Sequence, residues 1–176
     1  MYLLMRLFIY LLPSGVIRTK WIEKFNIFGQ TGKNFYFCPR KIPADPKLIK
    51  FHDNVAVATD VMFINHDVSQ KVFNNYKADK LPKFYGCIEI GNNVFIGARA
   101  TILPNVSICD NVFIAAGALV ASSITESGIY GGVPARKIGD MDELYETRLN
   151  SYKQFVEQKE GKELHEALWS LFESKK

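Results

Sequence analysis

Three histidines, His52, His66 and His165, are the imidazoles of this 176-residue chain. An imidazole has an ordinary pKa of about 6.5 and can take a proton near neutral pH. His66 stands between an amide and a carboxylate, in the segment Phe63-Ile64-Asn65-His66-Asp67. That setting suits a general base, with Asn65 placed to touch an acceptor molecule. Asp67 has two readings. It orients the imidazole, as the third member of a relay does, or it caps a corner by hydrogen bonding its own backbone. His52 reads as exposed and structural, and His165 lies in the tail. A zinc site needs three such ligands; these three are too scattered along the chain, so no metal is expected. Cys38, Cys87 and Cys109 are odd in number and form no CxxC. They read as reduced, packed thiols of a cytoplasmic protein, with no neighbouring His or cation to make one of them a nucleophile.

After His66 comes a long polar stretch, residues 68–89. It holds Lys71, Asn74, Asn75, Tyr76, Lys77, Lys80, Lys83 and Tyr85. Amides, lysines and aromatic rings together suit a sugar, through hydrogen bonds and stacking. The bland alternative is a solvated loop that packs on a neighbouring subunit. Loops of this length in compact domains are often functional. The net charge of +4 comes from scattered Lys and Arg, so nucleic acid is not an expected partner.

The elements that must hold these groups follow a six-residue rhythm. From Ile90 to Thr125 the chain reads IGNNVF, IGARAT, ILPNVS, ICDNVF, IAAGAL, VASSIT. Ile90, Ile96, Ile102, Ile108, Ile114 and Val120 lead; Val94, Ala100, Val106, Val112, Ala118 and Ile124 follow four residues later. Phe51, Val57 and Phe63 begin three more hexads, and His66 falls in the last of them. Neither a helix nor an alternating strand keeps a period of six; a parallel β-helix does. Each hexad gives one short strand and one corner, and the small residues beside the leads (Gly91, Gly97, Cys109, Ala115, Ala121) suit tight corners.

The ends are helical. Tyr2–Leu12 is apolar apart from Arg6, too short to span a bilayer and without the flanks of a signal peptide. Pro13 and Ser14 separate it from a second helix, with Val16, Ile17, Trp21, Ile22 and Phe25 on one side and Arg18, Lys20 and Lys24 on the other. The pair plugs the open end of the first coil or forms a basic, apolar foot on the inner membrane surface. Leu144 to Val156 and Leu164 to Phe172 have helical spacing, broken at Gly161, and are expected to cap the last coil or pack on a neighbour. Three regions result: helices over 1–26, coil with its excursion over 27–139, and a helical tail over 140–176.

The hexads, the phrase GCIEIGNNVFIGARATILPNVSI, the FINHD segment with its excursion and the closing GGVPAR resemble the hexapeptide-repeat acyltransferases. The nearest likeness is to sugar O-acetyltransferases of capsule and lipopolysaccharide synthesis. The resemblance implies a left-handed parallel β-helix of hexapeptide repeats with N-terminal and C-terminal α-helices. It implies a homotrimer with acetyl-CoA in the groove between subunits. His66 aligns with the family's catalytic base, which takes the proton of a sugar hydroxyl as it attacks the thioester. Phe95 stands where relatives often have Trp beside the pantetheine arm. Gly97, Ala98 and Ala116 line that arm, and a backbone N–H there can meet the oxyanion. Arg136, helped by Lys137, aligns with an Arg that meets the nucleotide phosphates. Two departures stand out. Ala121-Ser122 replaces a common Thr-Lys, and Cys38 lies near the position of an acceptor-binding Asn of the galactoside and maltose branch. Rival readings are N-acetylation of a nucleotide-linked amino sugar, a non-enzymatic assembly subunit of the same fold, and a β-helix carbonic anhydrase, which the scattered histidines disfavour.

Overall fold

The computed structural model describes residues 2–77, 80–159, 161 and 163–174. Between Ile88 and Val120 the chain visits three parallel sheets in turn and returns to each of them three hexads later. Ile88 pairs with Val106, Val94 with Val112, and Thr101 with Leu119. Sheet one contains Gln30–Thr31, Ile49–Phe51, Ile88–Ile90 and Val106–Ile108. Sheet two runs Tyr36–Phe37, Val55–Val57, Val94–Ile96, Val112–Ile114, Gly128–Gly131 and Arg136–Gly139. Sheet three has Met62–Phe63, Thr101–Ile102 and Leu119–Val120.

The hexad leads explain why this arrangement holds. Ile90, Ile96, Ile102, Ile108, Ile114 and Val120 are all buried in one core, as are their partners four residues on. Each fully buried aliphatic side chain is worth about 1.5–3 kcal/mol relative to exposure. The first coils fill the same interior differently, with Phe28, Phe35, Phe37, Phe51 and Phe63. The Phe28 and Phe51 rings meet edge to face at 4.9 Å, a favoured aromatic geometry.

The corners carry two distinct demands. Left-handed backbone falls three residues after the lead, at Asn54, Asp60, Asn93, Arg99, Asn105, Asn111 and Gly117. Asn and Gly are the residues that adopt it most readily. The small residues next to the leads answer a different need, the close approach of the next coil. A Cβ on Gly97 would lie 2.6 Å from the backbone N of Ala116. Asn54, Asn93 and Asn111 are stacked corner residues whose side-chain amides bond in a ladder at 2.9 Å per step.

Helices α1 (Tyr2–Leu11) and α2 (Gly15–Lys24) pack at the aromatic end of the coil. Ser14 caps α2 by accepting from Val16 N. Ile9 and Ile22 are wholly buried in the coil's core cluster. The inward side of α2 differs from the expected one: it carries Gly15, Arg18, Thr19 and Ile22, while Val16, Ile17 and Phe25 are exposed. The reason is polar. Arg18 is buried because its guanidinium donates to the carbonyls of Leu12 and Cys38. Thr19 Oγ1 donates to Gly15 O and accepts from Phe37 N. No described helix is long and apolar enough to cross a membrane.

Between Phe63 and Ile88 the chain leaves the coil and forms a short helix, α3 (Gln70–Tyr76). The contacts divide the chain into Met1–Ile138 and Gly139–Lys176. The second unit is a pair of helices, α4 (Met141–Lys159) and α5 (Leu164–Glu173), packed on each other. Gly161, between them, is left-handed.

Candidate functional site

The coil fails at one corner. His66 occupies the position, three residues past the lead Phe63, that is left-handed in the hexads led by Phe51, Val57, Ile90, Ile96, Ile102, Ile108 and Ile114. Instead, His66–Asp67 is a short strand paired antiparallel with Phe84–Tyr85, and His66 is opposite Tyr85. Gly86 N donates to Asn65 O and closes the excursion at its neck. The coil resumes at Ile88. Within the excursion, α3 gives the loop its own turn of structure.

At this neck a carboxylate that the sequence did not single out meets the imidazole. Asp45 Oδ2 lies 2.6 Å from His66 Nδ1. The two atoms lie within ion-pair distance and do not meet as a well-aligned hydrogen bond. Asp45 is held from two sides. The amide of buried Asn65 donates to its carbonyl. The Arg6 guanidinium of α1 donates to the preceding carbonyls of Ile42, Pro43 and Ala44. Among the described residues, Nε2 of His66 has no protein partner.

Asp67, the residue flanking His66, turns elsewhere. Its carboxylate accepts from the N and Oγ of Ser69 at 2.9 and 2.6 Å. Those bonds hold its pKa below the usual carboxylate range, with a smaller contribution from the charge of His66. This is the corner-capping geometry. Asn65 is buried, with its amide nitrogen on Asp45, and the structure gives it the place of a support for the carboxylate.

A cleft of about 620 Å³ opens beside the neck, lined by Asp67, Gln70, Phe73, Leu81, Lys83 and Tyr85 among others. Of the excursion residues expected to meet an acceptor, Tyr85 and Lys83 line it, and Lys83 Nζ stands 4.8 Å from the Tyr85 ring centre. Asn74 instead pins the loop, bonding both N and O of Leu81. Lys71 and Tyr76 are exposed, and Asn75 caps back onto Lys71 O. Gln70 and Phe73, three residues apart on α3, are lining residues that composition alone did not mark. A second cleft of about 600 Å³ lies on the Asp45 side and shares Tyr85.

The residues expected to hold a nucleotide thioester fall into separate groups. Phe95 is on sheet two, half-buried and stacked on Phe113 with ring centres 4.5 Å apart. Gly97, Ala98 and Ala116 come together at the corner joining sheets two and three, where Gly117 N donates to Ala98 O. Ala121 and Ser122 are exposed on the corner joining sheets three and one, the same corner as His66. Arg136 is exposed on the strand Arg136–Gly139 at the edge of sheet two, and Lys137 is paired with Glu126. In a three-sided coil, the corner of sheets three and one faces away from sheet two. One chain therefore does not bring Phe95 to His66.

The remaining candidates are quieter. His52 is paired with Glu89 at 2.8 Å on the outer side of sheet one. Cys109 is packed, and burial pushes its thiol pKa up. Cys38 touches Thr59 Oγ1. Cys87 departs from expectation: it is exposed, because it sits at the junction where the chain re-enters the coil. No cluster of three His, Cys, Asp or Glu among the described residues is arranged to hold a metal.

Comparison with known proteins bears on the whole arrangement. Residues 87–122 match the family described as bacterial transferase hexapeptide (six repeats). The galactoside O-acetyltransferase of Escherichia coli (strain K12) is 34% identical over 119 residues, covering 65% of this chain and 56% of that protein. Protein CapG of Staphylococcus aureus is 34% identical over 106 residues, or 60% of each chain. The match thus spans little more than half the length of these two relatives. Among solved structures, a maltose O-acetyltransferase from Clostridium difficile 630 aligns with a TM-score of 0.59 at 25% identity, covering 78% of this chain and 82% of that one. A galactoside acetyltransferase in complex with coenzyme A shares the fold with a TM-score of 0.60 at 24% identity, over 81% and 80% of the two chains.

Proposed function

We propose that this chain, which belongs to the hexapeptide-repeat acetyltransferase family, transfers acetyl from acetyl-CoA to a hydroxyl of a sugar. The observation that carries this reading is the Asp45–His66 pair at the neck of the excursion, with a ring nitrogen directed away from the carboxylate and a cleft alongside. The galactoside O-acetyltransferase supports the acceptor class and the galactoside acetyltransferase in complex with coenzyme A supports the donor; a role in surface polysaccharide synthesis and a cytoplasmic setting belong to the same proposal and rest on the sequence resemblance alone.

A hydroxyl is a poor nucleophile until its proton leaves. The acceptor oxygen bonds the acetyl carbonyl carbon while its proton passes to Nε2 of His66. The imidazolium so formed carries Nδ1–H toward Asp45, whose negative charge offsets the new positive one. The carbon–sulfur bond then breaks, CoA departs as a thiolate, and the proton on Nε2 returns to sulfur. His66 ends as it began. Asp67, bound to Ser69, shapes the start of α3, and Tyr85 with Lys83 offers the sugar a ring and a cation.

The donor side fits the same reading. Gly97, Ala98 and Ala116 leave backbone amides unscreened by bulky side chains, and Arg136 supplies a guanidinium for phosphate. Because Phe95 lies on the sheet away from His66, the complete site takes its donor surface from one copy and its base from another. A left-handed parallel β-helix assembled as a homotrimer provides that meeting, with 27–139 as the catalytic coil and 1–26 and 140–176 as its flanking parts.

The test is His66→Ala, assayed for acetyl-CoA turnover against a panel of sugars, nucleotide sugars and their amino counterparts. The rate on the preferred sugar is expected to fall by about 10²–10⁴, as for a lost general base, with acetyl-CoA affinity unchanged. A variant that keeps more than half its activity removes His66 from the chemistry. A panel in which only amines react moves the acceptor to nitrogen.

A further inference from the structure

The outward side of the two N-terminal helices has no role in the chemistry above. Leu3, Leu4, Leu7 and Leu11 of α1 are between 54% and 79% exposed. Their spacing sets them on adjoining stripes of one helix. Leu4, Phe8 and Leu11 share a side, and Phe8 continues the apolar surface onto α2 through Trp21 and Phe25, with ring centres 5.0 and 5.3 Å apart. Val16 and Ile17 are exposed on α2 as well. Monomeric proteins seldom leave so continuous an apolar surface uncovered.

Charge identifies what covers it. Up to Ile42 the chain carries Arg6, Arg18, Lys20, Lys24, Lys33, Arg40 and Lys41 but a single acid, Glu23. Beyond Ile42 acids outnumber bases, so the rest of the chain is net acidic although the whole is basic. Of those cations, Arg18 is buried, and Arg6 points its guanidinium at the carbonyls of Ile42, Pro43 and Ala44. Lys20, Lys24, Arg40 and Lys41 are exposed around the apolar helices. Arg40 also braces α1 by donating to the carbonyls of Tyr10 and Leu12. Leu3, Leu7 and Tyr10 share with Arg40 and Lys41 a groove of about 360 Å³, apolar along the helix and cationic at its rim.

From these observations we propose that α1 and α2 seat this protein on an anionic phospholipid surface. Helix α1 extends only about 15 Å, so it lies in the interface with its leucines among the acyl chains. The cations at the groove rim meet headgroup phosphates. A two-fold contact between copies through this face would set like charges against each other, which disfavours a second copy as the occupant. The proposal is independent of the chemistry assigned to His66. It does link the two places, because Arg6 of the seated helix also holds the segment leading to Asp45.

The full chain is tested by flotation with vesicles of phosphatidylcholine, with or without phosphatidylglycerol. Binding is expected to the anionic vesicles only and to weaken with salt. Leu3→Ser/Leu7→Ser is expected to lower partitioning by at least about tenfold through lost apolar insertion. Lys20→Gln/Lys24→Gln/Lys41→Gln, which alters only exposed side chains, is expected to lower it by about a hundredfold. Equal binding to both vesicle types, or no flotation, overturns the proposal. A leucine variant that changes the sedimenting mass while the wild type ignores vesicles assigns the face to a second copy. If the leucine variant does not fold, the lysine variant and the salt dependence decide alone.

Discussion

The two ends of the coil solve the same packing problem with different residues. From Ile88 to Val120 the interior is aliphatic, and each turn repeats the last in one register, Ile88 beside Val106 and Val94 beside Val112. From Phe28 to Phe63 the interior is aromatic, and the turns are irregular. The first turn is longer than three hexads, since Tyr36 pairs with Ala56. The break after His66 then lengthens the next turn much further, so that Val55 pairs with Val94. Uniform aliphatic leads let one coil stack on another without adjustment. Large rings fill a wider end, meet one another edge to face, and leave room for Ile9 and Ile22 of the capping helices. The regular end is scaffold. The irregular end is where the chain can leave the coil, so it is where the imidazole, the carboxylate and the cleft collect.

If that division is right, the aromatic end should be the more costly to damage in stability. Phe51 touches Phe28, Phe35 and Phe63 and is wholly buried. Phe51→Ala is expected to destabilise by about 3–5 kcal/mol, and by more than Ile96→Ala, the like truncation in the regular block, for which about 2–5 kcal/mol is usual. Denaturant unfolding of both measures this. Equal losses would mean that the aromatic end is loosely packed and that its irregularity has another cause.

A subtler break separates the chemistry from the packing. Asp45→Asn keeps the volume at the neck and removes the charge beside His66 Nδ1. It is expected to lower kcat by about 10–100-fold, the equivalent of a charge-assisted bond worth about 1.5–3 kcal/mol, with little change in Tm. The split between kcat and KM distinguishes positioning from mere structure: an interaction that strengthens as the imidazolium forms lowers kcat and leaves the KM for acetyl-CoA in place. Asp67→Asn, altering a carboxylate held by Ser69, serves as the comparison and should leave kcat nearer the parent value. A larger loss of kcat with Asp67→Asn than with Asp45→Asn would reverse the two roles.

The sequence made the regular end legible and the irregular end less so. Hexad leads are visible because burial requires an aliphatic residue at every sixth position, and the leads from Ile90 to Val120 are buried as that pattern requires. His66 stood out as the last hexad before a gap. Asp45 did not, since it lies well upstream, outside the hexads, and reaches His66 only through the closure of the coil and the clamp of Arg6 on the carbonyls before it. Arg18 was assigned to the wrong side of α2 because helical periodicity marks apolar faces and does not reveal carbonyls in need of a donor. The excursion's lining was similarly hidden: Gln70 and Phe73 face the cleft through the short helix α3, whereas Asn74, a plausible sugar ligand by type, holds the loop to Leu81.

The smallest expected effect probes the corners that both ends share. Asn93 is left-handed and sits in the middle of the amide ladder from Asn54 to Asn111. Asn93→Ala puts a Cβ without a compensating side-chain bond in that conformation, at a cost of about 1–2 kcal/mol. Asn93→Gly relieves the backbone and loses only the ladder. If the corner conformation governs stability, alanine should be the worse of the two by thermal unfolding. If the ladder governs it, both should lose alike, and the neighbouring Asn54 and Asn111 should then show the same loss when replaced by Gly. The His66 corner gives the contrast, because its chain has already left the left-handed path: there, substitution changes activity and spares the fold. An Asn93→Gly variant as stable as the parent would show that the repeat's hold on this corner is set by the backbone conformation that Asn tolerates, and that the ladder follows from the stacking without driving it.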